Sequence, residues 1–148
     1  MSDTQASVLR ELCESFPPRV VEGVITPHEC NECIAIRQTL EGHSWQEIPN
    51  TFAEEFSGSL PLLSPDAYNA YLPIWLRAAV EHPDGEAAAM VPINLSDKPS
   101  KIGFTPSQCR ALIAVVEFVA NHNWCGADDP DNLRYVAAVR AEWSSGVA

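Results

Sequence analysis

The sequence predicts a mainly helical fold, a compact single-domain bundle of four to five helices. Three observations support this prediction: helix-start signals recur along the chain, apolar residues recur at helical spacing, and 148 residues suit one domain. Hydrophobic residues make up 46% of the chain, which is enough to form a core. The predicted domain spans residues 1–148, with frayed ends at about 1–3 and 144–148.

Three helix starts are predicted where a serine or threonine precedes a proline. The hydroxyl caps free N–H groups, and proline suits the first helical position because it has no N–H to leave unbonded. Glu29 and Gln108 stand three positions after the two threonines and complete the pattern of a capping box. The three pairs are Thr26-Pro27, Ser64-Pro65 and Thr105-Pro106.

Stripes of apolar residues predict how far the helices extend. The main helices are expected at residues 4–15, 27–41, 65–81, 106–121 and 133–143, with a short helix at 50–56. The helix at 106–121 is the most apolar, so we expect it to be central. Pro73 is expected to kink or split the helix at 65–81 near Tyr71, because proline removes a backbone hydrogen bond.

Residues 87–95 form the most strand-like part of the sequence. Pro92 lies within them, and proline restricts a strand to the edge of a sheet. We therefore expect one short extended or β segment near 87–95.

The charge of the chain restricts its partners. The formal net charge is −11, and no Lys or Arg occurs between Gln38 and Leu76. Such a surface repels phosphate backbones and anionic membranes, so we expect neither nucleic acid nor a membrane as partner. It favours a basic protein partner, although solubility alone would also explain the charge.

The start of the chain and its cysteine usage predict a cytoplasmic protein. Residues 1–14 are polar and acidic, unlike a signal peptide, and no apolar run reaches the ~20 residues of a membrane span. The cysteines are odd in number, so reduced thiols are expected. They are Cys13, Cys30, Cys33, Cys109 and Cys125.

Cys30 and Cys33 form a CxxC pair at the predicted start of the second helix. A helix dipole acidifies such thiols, and the spacing allows a disulfide. Glu29 and Glu32 oppose this effect, since nearby carboxylates raise a thiol pKa, and the strands of a thioredoxin-like βαβ pattern are missing. The alternative is that both cysteines are small apolar residues packed in the core.

A zinc site is a third interpretation of the same pair. Structural zinc requires four Cys or His ligands, and His122 and Cys125 could join Cys30 and Cys33, with His28 as a spare. No zinc-finger or zinc-ribbon spacing matches, so no cofactor is expected in the main interpretation and zinc is the alternative.

No catalytic constellation is evident in the sequence. The chain lacks a G-x-S-x-G nucleophile motif, and the acidic run at residues 128–132 lacks the glycine and terminal glutamate of a calcium loop. We therefore expect a protein that is not an enzyme.

Several motifs together resemble a family of small uncharacterised bacterial proteins. The family has an HECxEC helix start and an LPLLSPxAYxxYLP segment, which correspond here to residues 28–33 and 60–73. Further similarity lies at Trp45 and at residues 104–108. The resemblance implies a bacterial origin and one compact domain, and it transfers no catalytic residue.

The charge and the missing catalytic motifs favour a non-catalytic acidic binding protein, such as a bacterial immunity or inhibitor protein that neutralises a basic toxin or effector. The alternatives are a zinc- or thiol-dependent protein and a structural or regulatory subunit of a complex. Trp45 follows a loop and is the expected aromatic anchor, whereas Trp75, Trp124 and Trp143 are expected in the core or at its edge. The expected partner-binding residues are Glu41, Trp45, Glu47, Glu54 and Glu55.

Overall fold

Seven α-helices and no strand occur in residues 2–97 and 99–144, which are the residues that this computed structural model describes. The mainly helical fold is therefore confirmed, with seven helices in the described residues where four to five were predicted. None of the described helices is long and apolar enough to cross a membrane. The helices are α1 (Asp3–Ser15), α2 (Asn31–Leu40), α3 (Asn50–Glu55), α4 (Pro65–Glu81), α5 (Glu86–Ser96), α6 (Pro106–His122) and α7 (Pro130–Trp143).

Two single 3₁₀ turns connect α2 to α4, at Trp45–Glu47 and Leu60–Leu62. At the start of the chain, the Ser2 hydroxyl caps α1 by accepting a hydrogen bond from the Gln5 N–H at 3.1 Å. Residues 1 and 145–148, which include most of the predicted frayed ends, lie outside the described residues.

The central helix is α4, whereas the sequence predicted this place for the helix at 106–121. Every residue from Ala67 to Leu76 is buried, because α4 packs against α1, α3, α5 and α6. Helix α6 is amphipathic and packs mainly against α1 and α7. A helix that is apolar on all sides belongs at the centre of a bundle.

Pro73 does not split α4, which is continuous from Pro65 to Glu81. Burial on all sides holds the helix together and outweighs the backbone hydrogen bond that proline removes. The predicted split near Tyr71 is therefore wrong.

Residues 87–95 are helical, so the predicted extended or β segment there is wrong. They belong to α5, which includes Pro92 and buries Ala87, Val91 and Leu95. Spacings of four residues place these three side chains on one face of the helix. Helix α5 packs against α4 and α7. Tertiary packing thus overrides the local preference of proline.

Helix α2 begins four residues later than predicted, with Cys30 as its N-cap in place of Thr26. The Thr26 side chain is buried, and its hydroxyl donates a hydrogen bond to the Cys33 carbonyl at 3.2 Å. Arg37 holds the preceding loop by donating to the carbonyl oxygens of Thr26 and His28. Glu29 pairs with Arg37 at 2.9 Å and therefore closes no capping box.

The other two predicted helix starts are confirmed. Ser64 caps α4, and Thr105 caps α6 in a full capping box with Gln108. A further pair of the same kind, Asp129 and Pro130, starts α7 three residues before the predicted position. Aspartate caps helices as well as serine does, so this pair could have predicted the start of α7.

Candidate functional site

The acidic segment, residues 41–55, follows α2 and includes α3, and it carries the exposed side chains of Glu41, Glu47 and Glu55. None of the three pairs with a Lys or Arg among the described residues. Glu47 lies 3.7 Å from His43, and its pKa is lowered because its carboxylate accepts a hydrogen bond from the Ser44 N–H at 2.7 Å. The acidic segment therefore presents uncompensated negative charge.

Trp45 is a core residue, so its predicted role as an exposed partner contact is wrong. Its side chain is 1% exposed, and its indole N–H donates to the Phe16 carbonyl at 2.8 Å. The guanidinium of Arg77 lies 5.6 Å from the centre of the ring. The 3₁₀ turn packs against α4 and directs the indole inward, which the surrounding polar sequence does not indicate.

Glu54 was also predicted to bind the partner, but its carboxylate instead forms a hydrogen bond with the start of α5. One oxygen accepts a hydrogen bond from the Ala87 N–H at 3.0 Å, in the first turn of α5. The N-cap of α5 is Gly85, which has no side chain to do this. A β-carbon on Gly85 would lie 2.8 Å from a Glu54 oxygen, so a larger residue at this position would require the carboxylate to move.

A cleft of about 370 Å³ lies beside the acidic segment, and Glu47, Asn50, Arg77 and Glu81 line it. Arg77 donates to the Asn50 side chain at 2.7 Å and to the Ile48 carbonyl. Burial lowers the pKa of Arg77. The arginine thus ties the connection between α2 and α4 to α4, and we assign it a structural role.

Trp124, expected in the core or at its edge, is instead the most exposed large apolar side chain of the described residues, at 85%. It stands in the loop between α6 and α7. With Tyr135 it lines a groove of about 200 Å³ between α5, α6 and α7, whose apolar residues include Val116 and Val119. An exposed tryptophan beside an apolar groove is typical of an interaction surface.

A network of side-chain amides holds the loop that carries Trp124. The Asn132 amide donates to the Ala120 carbonyl, to the Gly126 carbonyl and to the Asn123 side chain, at 2.9–3.2 Å. The Asn123 side chain in turn accepts from the backbone N–H of Cys125 and Gly126. These hydrogen bonds connect the loop to the end of α6 and the start of α7.

Carboxylates surround the base of Trp124. The Asp84 carboxylate accepts a hydrogen bond from the backbone N–H of Trp124 at 2.6 Å, and Asp129 caps α7. Partial desolvation, followed by the negative charges of Asp129, Asp131 and Asp84, raises the pKa of Cys125 next to it. Asp131 pairs with Arg134 at 3.0 Å, so Asp84 and Asp129 supply the uncompensated charge. We call Trp124, Asp84, Asp129 and the adjoining groove the Trp124 surface.

Cys30 and Cys33 lie together at the start of α2. Cys30 is exposed, whereas Cys33 is fully buried. The Cys30 sulfur accepts a hydrogen bond from the Cys33 N–H at 3.3 Å. Hydrogen bonds from the Cys33 thiol and N–H lower the pKa of Cys30, and the same thiol pairing together with burial raises the pKa of Cys33 to about 11.

The four-ligand zinc site of the alternative interpretation is not assembled. Within residues 2–97 and 99–144, no three His, Cys, Asp or Glu side chains are placed to hold one metal ion. His122, at the end of α6, stacks on Phe118 and contacts the Phe118 carbonyl at 2.9 Å. The CxxC pair is thus not joined to His122 and Cys125.

Comparison of the chain with protein-family models, with curated proteins and with solved structures gives no match. A function must therefore be inferred from the residues of this chain alone. The sequence indicates the acidic segment as the candidate site, with Cys30 and Cys33 as the alternative, and it does not single out Trp124 or Asp84. The readable signal for Trp124 was its place in a polar, acidic loop directly after a helix.

Proposed function

We propose that this chain is a non-catalytic acidic binding protein that recognises a basic protein partner through the Trp124 surface. The observation that supports the proposal best is the 85% exposure of Trp124 in a loop held by hydrogen bonds. Exposing a tryptophan to water is unfavourable, and a fixed loop costs little further entropy on binding. The combination is what a binding anchor requires.

The chemistry of the Trp124 surface favours a lysine or arginine of the partner. A cation placed over an indole is attracted to the ring face, and the carboxylates of Asp84 and Asp129 add charge attraction. The apolar groove beside the ring suits the aliphatic part of such a side chain. A basic protein thus satisfies all three features.

The acidic segment contributes at longer range. Glu41, Glu47 and Glu55 are exposed, and none of them pairs with a Lys or Arg of the described residues, although Glu47 lies 3.7 Å from His43. With a net charge of −11, the molecule attracts a basic partner before contact is made. In this proposal the segment speeds association, and the Trp124 surface determines how long the complex persists.

The biological class that fits this chemistry is a bacterial immunity or inhibitor protein that neutralises a basic toxin or effector in the cytoplasm. The class is assigned by analogy, from the negative charge and the resemblance to small bacterial proteins. A structural or regulatory subunit would use the same surface. The identity of the partner separates the two classes, since only an immunity protein abolishes the activity of a toxin.

The test is a pull-down from the source organism with three versions of the full chain, followed by mass spectrometry. Wild-type protein and Ile102→Ala, which removes another exposed apolar side chain, are expected to retain the same basic protein. Trp124→Ala is expected to lose it. Retention of that protein by Trp124→Ala, or an acidic partner, would contradict the proposal.

A further inference from the structure

We propose that Cys30 and Cys33 form a dithiol site that reduces disulfide bonds by thiol–disulfide exchange and is itself converted to an intrachain disulfide. The inference goes beyond the non-catalytic binding function of the Trp124 surface, because it assigns one round of thiol–disulfide exchange to a different place, the start of α2. The substrate class is a disulfide, either of a small thiol or of a protein.

The exposures of the two sulfurs give them different roles. Cys30 is exposed and can meet a substrate, whereas Cys33 is fully buried and cannot. The Cys30 sulfur lies 3.3 Å from the Cys33 backbone nitrogen, so the two side chains are neighbours in the first turn of α2. Cys30 is thus the attacking group, and Cys33 is the resolving group that only a disulfide on Cys30 can reach.

The acidic neighbours that argue against reactive thiols are engaged elsewhere. Glu29 pairs with Arg37 at 2.9 Å, and the Glu32 carboxylate accepts a hydrogen bond from the Ser59 hydroxyl at 3.1 Å. Hydrogen bonds from Cys33 outweigh the remaining negative charge, and the pKa of Cys30 is lowered as a result. Thiol–disulfide exchange requires the thiolate, so these contacts favour attack by Cys30.

The reaction balances without any further reagent. The Cys30 thiolate attacks one sulfur of the substrate disulfide, forms a mixed disulfide and releases the other sulfur as a thiolate. Cys33 then loses its proton and attacks the Cys30 sulfur, which forms the Cys30–Cys33 disulfide and releases the second thiolate. The protein dithiol is oxidised by two electrons, and the substrate disulfide is reduced to two thiols.

The experiment treats the reduced full chain with glutathione disulfide, blocks free thiols with a maleimide and maps each cysteine by mass spectrometry. The background carries Cys13→Ser and Cys125→Ser, which remove the other exposed thiols, and wild-type protein is run in parallel. We expect a transient glutathione adduct on Cys30, followed by the Cys30–Cys33 disulfide. In Cys33→Ala the adduct should accumulate, and in Cys30→Ser Cys33 should stay reduced.

A parallel arm replaces glutathione disulfide by insulin, whose disulfides lie in a protein. Reaction with glutathione disulfide alone indicates a small-molecule substrate, and reaction with insulin alone indicates a protein substrate. Failure of the wild-type chain to form the Cys30–Cys33 disulfide with either probe overturns the proposal. The proposal is also overturned if each chain binds one zinc ion and disulfide formation occurs only after the zinc is chelated.

If a variant loses its fold, the order in which the two disulfides form in wild-type protein still tests the proposal. Circular dichroism of each variant identifies such a loss. A mixed disulfide on Cys30 that precedes the intrachain disulfide supports the assigned roles, and a first adduct on Cys33 contradicts them.

Discussion

Glu54 stabilises the start of a helix that it does not belong to. Its carboxylate reaches from the end of α3 to the Ala87 N–H, in the first turn of α5. A carboxylate at a helix N-terminus both accepts a free N–H and faces the positive end of the helix dipole. The glycine at position 85 leaves the space for this contact.

Replacing Glu54 by alanine should therefore destabilise the protein. We expect a loss of about 0.5–2 kcal/mol in the free energy of unfolding, the range for removal of a helix cap. The neighbouring Glu55→Ala is the control, because Glu55 is exposed and makes no ion pair in the described structure. Urea unfolding of both variants measures the difference, and equal stabilities would show that Glu54 caps nothing.

The exposed thiols should differ in their reactivity with pH. The pKa of Cys30 is lowered from the ordinary 9.0 by hydrogen bonds from Cys33, whereas partial desolvation and nearby aspartates raise the pKa of Cys125. Because only the thiolate reacts, alkylation of Cys30 by iodoacetamide should rise with pH earlier than that of Cys125. Peptide mapping between pH 6 and about 10 measures both profiles. Cys125 reacting at lower pH than Cys30 would contradict the assigned contacts.

Trp45 and Trp124 show why a residue's exposure is difficult to predict from its neighbours along the chain. Both stand in polar surroundings between helices, yet Trp45 is 1% exposed and Trp124 is 85% exposed. What differs is the partner for the indole N–H, since the Phe16 carbonyl, 29 residues away, accepts that of Trp45. Such a contact is set by the fold, and the local sequence does not encode it.

At the scale of the elements, hydroxyl–proline pairs predicted the starts of α4 and α6 because the capping contact is local. The start of α2 was predicted wrongly because Arg37 and a buried Thr26 make competing contacts across the loop. The helical state of residues 87–95 was also missed. There the deciding interaction is burial against α4 and α7, which no window of sequence contains.

Among the candidate sites, the CxxC pair could be predicted from the sequence, because two cysteines three positions apart define it. The opposite exposures of Cys30 and Cys33 could not be read from the spacing. The ion pair between Glu29 and Arg37 could not be read from the spacing either. This pair matters because an unpaired carboxylate near a thiol would raise the thiol pKa. These features depend on where the loop before α2 folds.

The packing of α6 gives a test of the core. Leu112 is fully buried in this helix, which packs against α1, α4 and α7. Leu112→Ala should lower the free energy of unfolding by about 2–5 kcal/mol, the range for truncating a buried leucine. Arg110→Ala, on the exposed side of the same helix, should change it by less than about 0.5 kcal/mol. Similar losses in both variants would contradict the orientation of α6.

At the scale of the whole molecule, the charges are distributed unequally. Of the eight Lys and Arg side chains that the structure describes, five pair with acids outside the acidic segment, including Arg19 with Asp66 and Lys101 with Glu142. Exposed pairs of this kind contribute little to stability, but they neutralise the charge locally. The surplus of negative charge is therefore left on surfaces such as the acidic segment and the Trp124 surface.

This distribution predicts that association and dissociation respond to different substitutions. Reversal of Glu41 and Glu55 to lysine should slow association with the basic partner, because both side chains are exposed and act through long-range attraction. Trp124→Ala should instead speed dissociation and weaken binding by about 2 kcal/mol or more, roughly thirtyfold in affinity. The double variant Asp97→Lys/Glu22→Lys is the control for net charge alone, because it reverses two exposed acids outside both surfaces and changes the charge by the same amount.

Salt separates the two contributions in the same measurement. Raising the ionic strength from about 0.05 M to about 0.5 M screens exposed charges and should reduce the wild-type association rate about tenfold or more. The Glu41→Lys/Glu55→Lys variant should lose less, because part of its attraction is already gone, while its dissociation rate stays near that of the wild type. Surface plasmon resonance with the partner identified by pull-down gives both rates. If the salt dependence of this variant equals that of the wild type, the acidic segment does not steer the partner, and its charge serves solubility.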